Sequence, residues 1–175
     1  MSRSTGRHAR TLAAVVVALG ACLGTARAEG RAATASNNRL RRPDDRAFVD
    51  LAVRAAARRL GDARCQQLLD DVRDQRRRPL RQALDGEGLS APEFLDRLYF
   101  YDGSEEGCGA RRLAYTVAGA RAVFVCGSRF RAEYQKNTTV AEVAIIHEAL
   151  HCLGLGENPP TWEEINAWIQ AGCRR

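Results

Sequence analysis

The chain has 175 residues, of which 45% are hydrophobic, and it carries a formal net charge of +6. This length has room for one globular domain with its own core. Four of the 27 basic residues and none of the 21 acidic residues precede residue 29, so the chain from that point has a net charge of only +2. Such a balance argues against nucleic acid as a partner, because nucleic-acid binding requires a strongly basic surface.

Residues 1–28 have the pattern of an export signal. Basic residues open the segment, the apolar run TLAAVVVALGACLG follows, and Ala26-Arg27-Ala28 forms an A-x-A cleavage pattern. The apolar run is shorter than the about 20 residues that a membrane span needs. We therefore predict a signal peptide over residues 1–28 and an exported protein, either periplasmic or secreted.

A second processing signal lies in the same run. Leu19-Gly20-Ala21-Cys22 resembles the lipobox of bacterial lipoproteins, in which the cysteine is acylated and becomes the new N-terminus. This alternative predicts a lipoprotein signal that ends before Cys22, with a lipid on that residue as the only membrane attachment. In both cases the polar, alanine-rich residues 29–43 are predicted to form a flexible tether, and residues 44–175 the folded domain.

Helical periodicity dominates the first half of the domain. Residues 44–60 space their apolar side chains for a helix, and Gly61 is a suitable residue to end it. A second helix is predicted over residues 62–77. Pro79 follows it and should prevent it from continuing.

The sequence period changes in the middle of the domain. Ser90-x-x-Glu93 has the form of a capping box that opens a short helix, which the Asp102-Gly103 turn should close. Residues 113–117 and 121–125 are then rich in β-branched and aromatic residues and predict an antiparallel β-hairpin. The fold class is therefore predicted as α+β, mainly helical with a small antiparallel sheet.

Two more helices are predicted at the C-terminal end. Thr139-x-x-Glu142 has the form of a capping box and opens a helix that Gly154 should end. The prolines of GENPP exclude a helix there, and Thr161-x-x-Glu164 opens the last one.

Five cysteines follow Cys22 in the chain. An oxidising compartment allows disulfides, although five cysteines permit several connectivities. We predict the pairs Cys108–Cys126, which flank the hairpin, and Cys65–Cys173. This pairing leaves Cys152 as a buried thiol.

The stretch HEALHCLGLGE, residues 147–157, contains two of the three histidines of the chain. Residues four apart lie on the same face of a helix, so His147 and His151 can present two imidazole nitrogens to one metal ion. Glu148 lies about 100° around the helix axis, outside the ligand set but within reach of a metal-bound water. This is the H-E-x-x-H arrangement of two zinc ligands and a carboxylate base.

A catalytic zinc (Zn2+) needs a third protein ligand and an open position for water. Cys152 points in the wrong direction on the helix. Glu157 is the strongest candidate, because a sharp turn at Gly154 lets the chain fold back toward the ion. Glu163 or Glu164, on the next helix, is the alternative.

These residues match most of the metzincin signature H-E-x-x-H-x-x-G-x-x-H, with glutamate in place of the last histidine. Over residues 147–157 the chain thus resembles the HExxH zinc metallopeptidases, the zincin superfamily, and LGLGENPP resembles a segment of small exported bacterial proteins with this motif. The chain departs from the metzincins in lacking their methionine turn, since Met1 is its only methionine. The resemblance implies a zincin-type active-site helix.

The predicted function is an exported zinc-dependent hydrolase, specifically a metallopeptidase that acts on peptides or proteins. Its zinc ligands are His147, His151 and Glu157, and Glu148 activates the zinc-bound water. Tyr115 and Tyr134 are candidate donors to the oxyanion, and by resemblance the hairpin could bind an extended substrate. The alternative is a disulfide-stabilised extracytoplasmic binding domain with a structural, non-catalytic metal site.

Overall fold

The computed structural model describes residues 37–174. The predicted signal peptide, the lipobox with Cys22 and the first part of the tether lie outside these residues. Eight helices and three strands form the described part of the chain: α1 (Pro43–Leu60), α2 (Ala63–Asp71), α3 (Leu80–Glu87), α4 (Ala91–Asp96), β1 (Tyr99–Asp102), α5 (Glu105–Cys108), β2 (Ala114–Tyr115), β3 (Ala122–Val125), α6 (Gly127–Lys136), α7 (Thr138–Cys152) and α8 (Trp162–Gly172).

Residues 37–42, the last part of the predicted tether that precedes α1, are included in the described structure. Residues 37–42 pack against the domain, where Asn38 forms a parallel bridge with Phe100 and Leu40 is buried. The Asn38 side chain also donates a hydrogen bond of 2.7 Å to Asp50 on α1. An apolar residue and a polar anchor thus attach this segment to the folded domain.

The first helix agrees with its prediction, and the second does not. The α2 helix ends at Asp71 because Asp74 accepts hydrogen bonds from the backbone N–H groups of Arg76 and Arg78, which folds residues 74–78 into a turn. A short polar side chain competes in this way with helix hydrogen bonding. Pro79 does not stop a long helix but precedes α3, which the sequence analysis did not predict.

The sheet is mixed rather than purely antiparallel. The strand order is β1-β3-β2, with β1 parallel to β3 and β2 antiparallel to it. The hairpin prediction is confirmed for β2 and β3, but residues 99–102 were wrongly assigned to a helix. They form β1, in which Phe100 enters the core while Tyr99 and Tyr101 remain partly exposed. The fold class is α+β, with one core between the helices and the sheet.

Helix α6 was also missed, because it buries only Phe130 and so lacks an apolar period. Its first residue, Gly127, lies against α1: a Cβ there would be 2.6 Å from the Asp45 carboxylate. Arg131 of α6 forms an ion pair of 3.0 Å with the same carboxylate. Polar contacts therefore position this helix.

Helix α7 runs through the core and is buried on most of its circumference. The capping box expected at Thr139 and Glu142 was wrong, because Asn137 caps the helix through the N–H of Thr139. Glu142 is instead buried and accepts a hydrogen bond of 2.6 Å from Arg59. The helix ends as expected before Gly154, whose φ of +105° lies in the region that favours glycine.

Two cysteine pairs are bonded in the structure and match the predicted connectivity. The Cα atoms of Cys65 and Cys173 are 4.4 Å apart, and those of Cys108 and Cys126 are 5.6 Å apart. Cys152 is a buried free thiol.

Among residues 37–174, no helix has the length and apolar character required to cross a membrane.

The capping box of α8 allows a direct test of local helix energetics. Thr161 Oγ1 accepts the N–H of Glu164 at 3.3 Å, and the Glu164 carboxylate accepts the N–H of Thr161 at 2.8 Å. We expect Thr161→Ala to lower the free energy of unfolding by about 1 kcal/mol, as measured by urea denaturation. Thr138→Ala is the control, since Thr138 is an exposed threonine in the first turn of α7 that does not cap the helix, and an equal loss there would contradict the assignment.

Candidate metal centre

The two histidines of α7 face one another across one helical turn. Their Nε2 atoms are 3.0 Å apart, and their ring centroids are separated by 4.7 Å. Both side chains are buried. The predicted pairing of His147 and His151 on one helix face is therefore present in the folded chain.

The other nitrogen of each ring is fixed by a hydrogen bond. His151 Nδ1 lies 2.8 Å from the backbone oxygen of Leu155, which can only accept, so this Nδ1 is the donor. His147 Nδ1 lies 3.0 Å from Asn166 Oδ1 on α8, and the amide oxygen likewise requires a donor. Hydrogen bonds of this type set the tautomer and orientation of metal-binding histidines.

These tautomers leave a lone pair on each Nε2 atom, and the two Nε2 atoms lie close together. Two acceptors 3.0 Å apart with no proton between them repel each other, whereas a cation bound by both removes the repulsion. The pKa of His147 is lowered to about 4, mainly by burial and also by the nearby His151, while the hydrogen bond to Asn166 opposes the shift. The chemistry of the pair thus fits a metal ion.

Glu148 lies in the same cavity as the two histidines. Its carboxyl is buried, and burial raises its pKa to about 8. The charge of Arg112 acts in the opposite direction, and the charge of Glu157 adds to the rise in pKa. Within the described residues, no protein group forms a hydrogen bond or ion pair with this carboxyl.

The cavity has a volume of about 630 Å³. Helix α7 lines it with His147, Glu148 and His151, and residues 111–116 line it from the side of β2. The loop after α7 contributes Glu157, and the first turns of α8 contribute further residues. The centre is therefore open to a ligand of peptide size.

The structure brings two of the three predicted ligands together, but not the third. Glu157 lines the cavity, yet residues 37–174 contain no group of three His, Cys, Asp or Glu side chains placed to hold a metal ion. Glu163 also lines the cavity, whereas Glu164 caps α8. The Cys152 thiol lies 3.7 Å from Thr116 Oγ1, and its pKa is raised to about 11 by burial.

No family model, curated protein or solved structure matches this chain. A metal centre is therefore inferred from the arrangement of the chain's own side chains. Two features of that arrangement indicate a function. One is the imidazole pair, and the other is the Glu148 carboxyl, which has no hydrogen-bond or ion-pair partner among the described residues.

The two groups that orient the histidines were not predicted from the sequence. Asn166 is 19 residues away from His147 on another helix, and the Leu155 group is a backbone carbonyl. No short-range sequence signal indicates either contact. Both depend on the docking of α8 and of the following loop against α7.

Neither tyrosine considered for the oxyanion presents a free hydroxyl in the cavity. Tyr134 packs against Phe48 of α1, with ring centroids 5.5 Å apart. Tyr115 lines the cavity, but its hydroxyl accepts the backbone N–H of Ser104 at 3.1 Å. Both residues therefore have packing or local hydrogen-bonding roles.

Proposed function

We propose that this protein is an exported zinc-dependent hydrolase, specifically a metallopeptidase. His147 and His151 would hold the zinc through Nε2. The observation that supports this proposal most directly is the pair of Nε2 atoms 3.0 Å apart, with both Nδ1 atoms already engaged as donors. A cation bound by both atoms would satisfy this buried pair of acceptors.

Glu157 is the proposed third ligand. The turn at Gly154 folds the loop back over the end of α7, and Leu155 in that loop already contacts His151. Glu157 lines the same cavity and lies close enough to Glu148 for their charges to interact. A carboxylate is a normal zinc ligand beside two histidines.

Bound zinc would lower the pKa of a water molecule and polarise a substrate carbonyl. Glu148 is the proposed general base, which accepts a proton from the attacking water and returns it to the leaving amine. Its buried, unbonded carboxyl beside the histidine pair supports this role. A purely structural metal site would not require such a group.

The edge of the sheet supports a peptide as substrate. Among the strands of residues 37–174, β2 pairs with β3 alone, and residues 114 and 115 line the cavity. The open edge of a strand has unpaired backbone groups that an extended peptide can pair with. An amide bond of such a peptide would then lie in the cavity that contains the histidine pair.

Metal content is the measurement that tests the site. We expect the purified protein to contain about one zinc per chain and expect His147→Ala or His151→Ala to lose it. Glu157→Gln should weaken zinc binding by about tenfold or more, whereas Glu163→Gln, the matched change in the same cavity, should not.

Two results would contradict this assignment. Wild-type protein that takes up no zinc on titration would reject the metal centre. Loss of zinc in Glu163→Gln but not in Glu157→Gln would move the third ligand to α8.

A further inference from the structure

A cationic side chain lies in the same cavity as the proposed base. Arg112 is one of the lining residues contributed by the segment before β2, and its charge acts on the Glu148 carboxyl. Arg111, the preceding residue, lines the same cavity, and both arginines are exposed. The proposed hydrolytic mechanism gives neither guanidinium a role.

The Arg112 guanidinium is held in place without being neutralised. Its Nη1 donates a hydrogen bond of 3.1 Å to the backbone oxygen of Gly107, and its Cζ lies 5.9 Å from the centroid of the Tyr115 ring. Within residues 37–174 it forms no ion pair with a carboxylate. Most of its N–H donors thus remain for a ligand.

The segment that carries Arg112 is also fixed to the domain. Arg129 Nη1 donates to the backbone oxygens of Cys108 and Arg112 at 3.0 and 2.8 Å. The Cys108–Cys126 disulfide closes the same segment onto the sheet, and Cys126 N–H donates to Leu113 at 2.9 Å. This positioning reduces the conformational cost of ligand binding.

The acidic residues of the cavity lie on other elements. Glu148 is on α7, Glu157 is in the following loop, and Glu163 is at the start of α8. The first two have proposed roles at the metal centre. Residues 111–116 therefore present positive charge alone to the cavity, and a guanidinium matches the geometry of a carboxylate.

We propose that Arg112 binds a carboxylate of the substrate, so that the cavity selects anionic peptides. This inference rests on the proposed function for the identity of the substrate as a peptide. The carboxylate belongs either to an acidic side chain or to the peptide C-terminus. Arg112 is in both cases a specificity residue, and Arg111 adds to the local positive charge.

Three N-acetylated peptides distinguish an acidic side chain from the peptide C-terminus as the source of the carboxylate. The first is AAQA with a C-terminal amide, the second is AAEA with the same amide, and the third is AAQA with a free C-terminal carboxylate. Their binding is measured by calorimetry to the Glu148→Gln protein, so that turnover does not interfere. The same measurement is repeated after adding Arg112→Gln, or after adding Arg58→Gln as a charge-matched change on the exposed surface of α1.

We expect one carboxylate peptide to bind about five- to tenfold more tightly than the neutral peptide. Arg112→Gln should remove this preference, and Arg58→Gln should preserve it. Equal binding of all three peptides, including no measurable binding of any, would overturn the inference. A preference that survives Arg112→Gln would overturn it as well.

The proposed function fails in a distinguishable way. A carboxylate preference that depends on Arg112, in a protein that takes up no zinc and hydrolyses nothing, would support the anion site and reject the hydrolase. Zinc uptake and hydrolysis without any carboxylate preference would support the hydrolase and reject the anion site.

Discussion

Replacing Glu148 by glutamine is expected to lower the rate of peptide hydrolysis by about 10²- to 10⁴-fold while the zinc content stays unchanged. Glutamine has nearly the same shape as glutamate but cannot accept a proton from water at neutral pH. The substitution also leaves both histidines in place, because Glu148 forms no hydrogen bond with either of them. The loss should therefore appear in kcat rather than in metal occupancy.

The assay can use a mixture of peptides of varied sequence, with cleavage products identified by mass spectrometry. Glu163→Gln provides the matched control, since it removes a carboxylate from the same cavity without touching the proposed base. Equal hydrolysis by wild type and Glu148→Gln would reject the role of the base. Loss of zinc in Glu148→Gln would instead make this residue a ligand.

The alternative function predicts different results in these experiments. In a disulfide-stabilised binding domain with a structural metal site, zinc would be present while neither wild type nor Glu148→Gln cleaves any peptide. A structural zinc has four protein ligands, whereas a catalytic zinc keeps one position for water. The open cavity beside the histidine pair favours the hydrolase.

The local part of the site could be predicted from sequence. His147 and His151 are four residues apart on one helix, so their proximity follows from helix geometry alone. The partners of their Nδ1 atoms could not be predicted, because Asn166 and the Leu155 carbonyl reach the rings only after tertiary folding. Arg112 was missed for the same reason.

The fold shows the same division between local and tertiary causes. The capping boxes at Ser90 and Thr161 were predicted correctly, since each depends on residues within one turn. The one expected at Thr139 was wrong, because Glu142 pairs with Arg59, 83 residues away. Residues 99–102 form a strand because they pair with β3, and their own sequence does not indicate this contact.

The Arg59–Glu142 pair joins three parts of the domain. Arg59, on α1, donates through Nε to Glu142 of α7 at 2.6 Å and through Nη1 to the backbone oxygen of Cys173 at 2.9 Å. The side chains are only 7% and 1% exposed, respectively. Charges buried to this degree are tolerated because each is satisfied by the other and by hydrogen bonds.

Arg59→Met is therefore expected to lower the free energy of unfolding by about 3–5 kcal/mol, because it leaves the Glu142 carboxylate buried without its guanidinium partner. The double variant Arg59→Met/Glu142→Leu should lose less stability than this single variant, since no unpaired charge remains in the core. Denaturation by guanidinium chloride, with the disulfides intact, measures the free energy of unfolding of both variants.

Arg41→Met is the exposed control for this pair. Arg41 lies 3.6 Å from the Asp102 carboxylate, but its side chain is 92% exposed, so its loss should cost less than about 1 kcal/mol. A cost for Arg59→Met as small as that for Arg41→Met would show that the buried pair does not anchor α7. Because α7 also holds His147 and His151, a large cost would mean that the same ion pair helps to fix the helix on which the candidate metal centre is built.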